Sequence, residues 1–305
     1  MNEAIHGLPS PHRALPEADG RGIADSRLLP DDEFEAAWDA IILPSGLKER
    51  LVRSAAAGIA LRAEVPFETL PLHGILLFTG LPGVGKTTLA RGLASKVARV
   101  VSGLGEWAFV EIDPHALASS FLGRSQRSVE HLFNDVLQGI AAGGPLAVLL
   151  DEVEALVTDR AALSMEANPV DVHRAVDAAL VGLDRLARAQ PHVVILATSN
   201  FSAAIDPAFR SRTDEAVELP LPDVEARRAI LAHTIQGAAE AFPGLAGLAE
   251  DDVLRQAAEA SEGLDGRRLR KALVAAVALR PEANADPNKV AAEDLLIALK
   301  QAASS

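Results

Sequence analysis

The stretch GLPGVGKT, from Gly80 to Thr87, has the spacing Gly-x-x-x-x-Gly-Lys-Thr of a phosphate-binding loop. Glycines let backbone N–H groups approach a β-phosphate, because they carry no Cβ. Lys86 would neutralise β- and γ-phosphate oxygens, and the Thr87 hydroxyl would bind Mg²⁺. The spacing therefore predicts a site for nucleotide phosphates and Mg²⁺, with contacts from Gly80, Pro82, Gly83, Val84, Gly85, Lys86, Thr87 and Thr88.

Two acids, Asp151 and Glu152, end the apolar run LAVLLDE. At the carboxyl edge of a sheet, Asp151 could hold Mg²⁺ through water, and Glu152 could orient and deprotonate an attacking water. The same pair could merely cap the next helix. The presence of a phosphate loop in the same chain favours the catalytic interpretation.

Four further polar residues could act on a transferring phosphoryl group. Asn200 ends the run ILATSN, where it could contact the γ-phosphate or position the water, although Asn at a strand end is often a turn residue. Arg210 and Arg212 follow in DPAFRSR, and an arginine that enters from outside its own pocket is an arginine finger. Arg267, in GLDGRRLRK, lies at the predicted start of a helix, from which it could reach over the nucleotide and contact the γ-phosphate.

Five short apolar runs predict the strands that position these residues: 74–79, 108–112, 146–150, 192–198 and 216–219. They do not alternate, which is typical of strands buried on both faces. Most of the stretches between them are long enough for crossover helices. The pattern predicts an α/β fold with a doubly wound, parallel, five-stranded sheet.

The chain divides into three predicted segments. Residues 1–30 are rich in Gly, Pro, Ala and charge without a period, which predicts a flexible tail. Residues 31–221 form the α/β domain, which the prolines of LPLPD end. Residues 222–305 have helical spacing throughout and predict a small all-α lid domain.

Composition excludes several classes of function. The chain has 305 residues, a net charge of −13 and no cysteine, so disulfides and thiolate metal sites are excluded. The sequence has no run of basic residues that could follow a nucleic-acid backbone. It also lacks the His-Glu-x-x-His motif that would predict a protease. No apolar run is long enough to span a membrane and no apolar leader is present, so we expect a cytoplasmic protein without nucleic-acid or membrane partners.

The order of these motifs resembles that of the AAA+ ATPases: phosphate loop, Asp-Glu strand, Asn-terminated strand, trailing arginines, and a helical lid with an arginine. The resemblance is closer to the pachytene-checkpoint ATPases, which remodel HORMA-domain proteins, and to their bacterial relatives in anti-phage second-messenger defence. It covers about residues 34 to 275 and rests on WDAIILPSGLKERL, EIDPHALASSFLGRSQRSVEHLF, LLDEVEALVTDRAA, NPVDVHRAVDAALVGLDRL, VVILATSNFSAAIDPAFRSRTD and EGLDGRRLRK.

The resemblance implies a role for each matching residue. Lys86 and Thr87 would contact nucleotide and metal, Asp151 would hold Mg²⁺, and Glu152 would be the base. Asn200 would be the polar sensor, Arg212 the trans-acting finger and Arg267 the lid sensor, with Ile41 and Ile42 beside the adenine. Arg210 lies closer to Arg212 than is usual for an AAA+ arginine pair, so the choice between the two stays open.

The stretch SSFLGRSQR matches the family's substrate-gripping pore loop, with Phe121 at the aromatic position and Leu122 beside it. The implied protein is a homohexamer that hydrolyses ATP to thread and partly unfold a HORMA-domain protein, alone or bound to a nucleotidyltransferase. The alternatives are an unfoldase for another protein, a slow nucleotide-operated switch and a DNA-loading ATPase. The eukaryotic members carry a sizeable N-terminal domain, whereas some thirty residues precede the ATPase here, so a need for an adaptor stays open.

Overall fold

The computed structural model describes residues 15–18, 22–114, 117, 125–158 and 169–304. Within these residues one six-stranded sheet has the order β1-β3-β4-β5-β2-β6. The strands are β1 (Ile23–Leu29), β2 (Ile75–Thr79), β3 (Trp107–Ile112), β4 (Leu146–Leu150), β5 (Val193–Ser199) and β6 (Glu215–Glu218). Strands β2 to β6 are parallel to one another. The predicted α/β fold with five parallel strands is therefore confirmed.

Strand β1 contradicts the prediction of a flexible tail over residues 1–30 for the part from Ile23 to Leu29, whereas residues 1–14 and 19–21 lie outside the described residues. It pairs antiparallel with β3, from Ile23 opposite Ile112 to Leu29 opposite Trp107. Ile23 and Leu29 are buried at its two ends, and the residues between them are exposed or partly buried. The polar residues Asp25, Ser26 and Arg27 interrupt the apolar pattern of β1, so its sequence alone does not predict a strand. Its stability comes from the edge of β3, whose backbone groups would otherwise lack partners.

Helices cover both faces of the sheet. On one face lie α1 (Asp32–Ala40), α2 (Leu47–Glu64) and α3 (Lys86–Val100). On the other lie α4 (Ser125–His131), a π-helical turn (Leu132–Leu137), α5 (Gln138–Ala142) and α6 (Pro169–Ala189). Alternate residues of β2 separate the two cores, with Leu76 and Phe78 in the first and Ile75 and Leu77 in the second. This arrangement is doubly wound, as predicted.

The rest of the chain is helical. After the short helix α7 (Pro207–Arg210) and β6 come α8 (Val224–Ala239), α9 (Asp251–Ala260), α10 (Gly266–Ala278), α11 (Pro281–Ala285) and α12 (Ala292–Ala303). Asp223 caps α8, since its carboxylate accepts a 2.8 Å hydrogen bond from the Ala226 N–H. These helices bury a core of their own, which includes Leu231, Leu269 and Leu295. None of the helices in the described part of the chain is long and apolar enough to cross a membrane.

Candidate nucleotide site

The segment from Gly80 to Gly85 links β2 to α3 and has a backbone that requires its glycines. Gly80, Gly83 and Gly85 have φ angles of 143°, 86° and 100°, which residues other than glycine rarely adopt. A Cβ on Gly80 would lie 2.5 Å from the Leu219 carbonyl oxygen. A Cβ on Gly83 would overlap the Asp265 carboxylate, which caps α10. The loop is therefore compact and in contact with the N-terminus of α10.

Lys86 is the first residue of α3 and lies in the mouth of this loop, only 6% exposed. Its Nζ donates hydrogen bonds of 2.9 Å to the carbonyl oxygens of Gly80 and Leu81. Burial lowers the pKa of Lys86, and the nearby carboxylates of Glu154 and Asp151 oppose that shift. A phosphate would supply the anionic partner that this buried ammonium lacks inside the loop.

Thr87 and Asp151 meet where β4 ends. The Thr87 hydroxyl donates a 2.7 Å hydrogen bond to Oδ1 of Asp151, and the Thr198 hydroxyl donates a 2.5 Å hydrogen bond to the same oxygen. Mg²⁺ in such sites binds through one or two protein oxygens together with phosphates and water. The hydroxyl and carboxylate oxygens of Thr87 and Asp151 fit that donor set.

Glu152 has a strained backbone and a fixed side chain. Among the described residues it is the non-glycine residue with positive φ, at 51°, and such strain often marks functional sites. The Thr198 hydroxyl accepts a 3.1 Å hydrogen bond from the Glu152 N–H. The Asn200 amide donates a 3.1 Å hydrogen bond to Oε1 of Glu152, and the Asn200 N–H donates to Glu154 at 3.1 Å. The predicted base and polar sensor therefore contact each other directly.

A cavity of about 360 Å³ brings most of the predicted residues together. Its lining comprises Pro82, Gly83, Gly85, Lys86, Thr87, Thr88, Asp151, Glu152, Thr198, Asn200, Arg267, Arg270 and Lys271. The lining has two lysines and two arginines against two carboxylates, in a protein whose net charge is −13. The local positive charge suits a polyphosphate, because it opposes the repulsion from the acidic surface.

Sequence reasoning missed three of the lining residues. Thr198 lies in the quoted run ILATSN, two residues before Asn200. Arg270 and Lys271 lie three and four residues after Arg267 on α10, so helical spacing places them on the same face. The repeated basic residues of GRRLRK were the available signal for them.

A second cavity, of about 510 Å³, is lined by Val84 and Gly266, each of which is next in sequence to a residue that lines the first cavity. Ile42 and Leu43 line it together with Val84, Leu221 and Ile230, so its wall is largely apolar. Such a cavity suits a planar base beside the phosphate loop. Ile41 is placed differently from Ile42, since it packs in the core of α1–α3 and faces Gly85.

The two candidate finger arginines lie away from these cavities. The Asp214 N–H donates a 2.9 Å hydrogen bond to the Ile75 carbonyl, which places the segment of Arg212 beside the end of the sheet where β2 begins. The phosphate loop follows the opposite end of β2. Four strand steps of about 3.3 Å separate the two edges by roughly 13 Å. Arg212 is paired with Asp184, and Arg210 is exposed. Phe121 and Leu122 lie outside the described residues.

Comparisons with known proteins identify the family of this chain. Residues 76–221 match the model of the ATPase family associated with various cellular activities (AAA). The chain is 45% identical over 294 residues to CD-NTase-associated protein 6 of Pseudomonas aeruginosa, covering 96% of this chain and 95% of that protein. It is 34% identical over 276 residues to the pachytene checkpoint protein 2 homolog of Arabidopsis thaliana, covering 80% of this chain and 59% of that protein.

Two solved structures share the fold. C. elegans PCH-2 aligns with a TM-score of 0.74 at 25% identity, over 92% of this chain and 74% of that one. A chain of the E. coli MS115-1 HORMA:CdnC:Trip13 complex aligns with a TM-score of 0.76 at 19% identity, over 94% of this chain and 97% of that one. Since the sequence relatives span most of this chain, it belongs to the AAA ATPases, in the group of the pachytene checkpoint proteins and CD-NTase-associated protein 6.

Proposed function

We propose that this protein hydrolyses ATP to remodel a HORMA-domain protein, as part of a bacterial second-messenger anti-phage defence system. The observation that carries the ATPase part is the contact between Glu152 and Asn200 beside Lys86, Thr87 and Asp151 in one cavity. The loop and Lys86 would bind the phosphates, with Arg267 approaching from the lid. The cavity beside Ile42 would take the adenine.

In the proposed reaction, Glu152 accepts a proton from the attacking water, whose oxygen bonds to the γ-phosphorus as the bond to the β-phosphate oxygen breaks. Asn200 holds the Glu152 carboxylate in place through its 3.1 Å hydrogen bond. Thr87 and Asp151 would hold Mg²⁺, which supplies charge neutralisation on the phosphates when it is bound. Because the strained backbone of Glu152 is fixed by Thr198, little reorganisation is needed before the proton moves.

The proposed finger serves a neighbouring copy. Arg212 lies beside the end of the sheet where β2 begins, and the phosphate loop follows the other end, roughly 13 Å away along β2, which supports action on another subunit. We propose a homohexamer in which Arg212, or the exposed Arg210 beside it, completes the pocket of the next copy.

The substrate proposal rests on the relatives. The solved E. coli complex that shares this fold contains HORMA and CdnC proteins together with Trip13. The Pseudomonas aeruginosa relative, similar over 96% of this chain, is named for its association with a CD-NTase. We therefore propose that the substrate here is a HORMA-domain protein, alone or bound to a nucleotidyltransferase of that class.

The substrate proposal is tested by adding a purified HORMA-domain protein bound to a fluorescent partner peptide. We expect it to stimulate ATP hydrolysis and, with ATP present, to release the peptide. The Glu152→Gln variant, which should bind ATP without hydrolysing it, is the matched control and should release none. Slow hydrolysis that no protein stimulates would favour the nucleotide-operated switch.

A further prediction concerns the proposed grip on the substrate. Phe121→Ala should leave folding, assembly and basal ATP hydrolysis nearly unchanged, yet abolish peptide release and stimulation. An aromatic ring buried against a threaded chain contributes roughly 1.5 to 3 kcal/mol, and several subunits would hold the chain together. A variant that unfolds would assign Phe121 to the core, and one that still releases peptide would show that the grip lies elsewhere.

A further inference from the structure

The guanidinium of Arg212 is held on two of its sides within its own subunit. Nε and Nη2 donate hydrogen bonds of 2.7 and 2.8 Å to the two carboxylate oxygens of Asp184, on α6. Nη1 donates a 2.7 Å hydrogen bond to the Ala208 carbonyl oxygen. A guanidinium has five N–H groups, so these bonds leave one on each terminal nitrogen.

Asp184 is itself held in place by a second residue. The His73 ring lies with Nε2 3.0 Å from Oδ1 of Asp184, and its side chain is 11% exposed. The edge of that ring contacts Phe67, with centroids 5.0 Å apart at 84°. Burial raises the pKa of Asp184, but its bonds to Arg212 and His73 outweigh burial, so the net shift is downward and the carboxylate stays ionised.

The elements that carry these side chains are tied together. The Asp214 carboxylate accepts hydrogen bonds from the N–H groups of His73 at 3.0 Å and Ile75 at 3.2 Å, so the segment after Arg212 is joined to the start of β2. On either side of Asp184, the α6 residues Leu183 and Leu186 are almost completely buried in the core. The residues that hold the Arg212 guanidinium are therefore themselves fixed in position.

We propose that Asp184, supported by His73, is a positioning residue that aims the Arg212 guanidinium at the γ-phosphate of a neighbouring copy. This inference rests on the proposed function, in which Arg212 acts in trans. With Nε and one N–H of Nη2 on the carboxylate and one N–H of Nη1 on the Ala208 carbonyl, one N–H on each terminal nitrogen is left to donate to phosphate oxygens. Arg210, by contrast, has an exposed side chain with no hydrogen bond or ion pair among the described residues.

The experiment uses rings mixed from two kinds of subunit, so that finger and pocket are supplied separately. Glu152→Gln subunits bind ATP but cannot hydrolyse it, and they donate a finger. Arg212→Ala subunits have a working pocket but no finger. Adding Asp184→Asn to the finger donor should lower the kcat of the mixed rings by about 10- to 100-fold at an unchanged KM for ATP, since a misplacement near 1 Å can cost 10²-fold.

The matched control places the same substitution in the other subunit. Asp184→Asn added to the Arg212→Ala pocket donor should change nothing, because that subunit has no finger to aim. An equal loss in both arrangements would show a merely structural role and overturn the inference, as would no loss in either. If the reference mixture without Asp184→Asn shows no activity in confirmed mixed rings, the trans role of Arg212 fails and this inference falls with it.

A second pair of variants tests the support from His73. His73→Phe in the finger donor keeps a ring against Phe67 but removes the donor to Asp184, so kcat should fall by roughly threefold to tenfold, as expected for one lost hydrogen bond. His73→Gln places an amide N–H near the position of Nε2 and should restore most of the rate. Equal rates for the two variants would show that the hydrogen bond from His73 does not help Asp184 to position Arg212.

Discussion

Glu152→Gln should bind ATP as the unmodified protein does and hydrolyse it at least about a hundredfold more slowly, since a positioned general base contributes roughly 10²- to 10⁴-fold. The amide keeps the Oε1 acceptor that Asn200 contacts at 3.1 Å, so the geometry of the pair is retained. Only the ability to take a proton is lost. Binding is measured by titration with a fluorescent ATP analogue, and hydrolysis by single-turnover assays.

Lys86→Ala is the matched control for that experiment. Lys86 is almost fully buried at the mouth of the loop, where it is proposed to bind the phosphates. Because Lys86→Ala removes that positive charge, the variant should lose ATP binding itself. The two variants should therefore separate binding from hydrolysis, with the Glu152→Gln protein trapped with ATP and the Lys86→Ala protein empty. Normal turnover in the Glu152→Gln protein would be incompatible with Glu152 as the base.

Arg212→Ala should bind ATP normally yet hydrolyse it at least about a hundredfold more slowly, because an arginine finger contributes on the order of 10³-fold or more. Its own pocket should be undisturbed, since Arg212 lies at the opposite edge of the sheet from the phosphate loop. Arg212→Lys should stay slow, because an ammonium keeps the charge but lacks the fork that binds Asp184 at two points.

Rings mixed from two kinds of subunit test whether Arg212 acts on the pocket of a neighbouring copy. Arg212→Ala subunits combined with Glu152→Gln subunits should recover part of the activity that each lacks alone, as measured by steady-state phosphate release. Thermal unfolding of Arg212→Ala checks that the loss of the Asp184 contact has not unfolded the domain. Mixed rings that stay inactive would place Arg212 in cis. A normal rate for Arg212→Ala combined with a slow Arg210→Ala would make Arg210 the finger.

Some of the fold could be predicted from local patterns and some could not. The strands β2 to β5 are buried on both faces and are continuous apolar runs, which is why their positions follow from sequence. Strand β1 has buried residues only at Ile23 and Leu29, and the polar residues Asp25, Ser26 and Arg27 lie between them. Its conformation depends on pairing with β3, which follows some eighty residues later, so the local composition predicted a tail instead.

The nucleotide site divides in the same way. The phosphate loop is continuous in sequence and its glycine conformations are local, so GLPGVGKT is sufficient to predict its shape. Strand ends predicted Asp151, Glu152 and Asn200, because parallel strands place their carboxyl ends at one edge. The hydrogen bonds from Thr198 to Asp151 and from Asn200 to Glu152 span 47 and 48 residues. They depend on the neighbouring positions of β4 and β5 in the sheet.

The arginines show most clearly where local sequence ceases to be informative. The motif DPAFRSR marks Arg210 and Arg212 as candidates, but the two are alike in sequence. Folding separates them, since Arg212 is clamped by Asp184, 28 residues away, which in turn contacts His73, 111 residues away. Side-chain chemistry and short-range spacing therefore established which reactions the chain could perform. The approach of Asp184 on α6 to Arg212 and His73 decided how one arginine is oriented, because contacts between distant segments exist only once the sheet and helices have assembled.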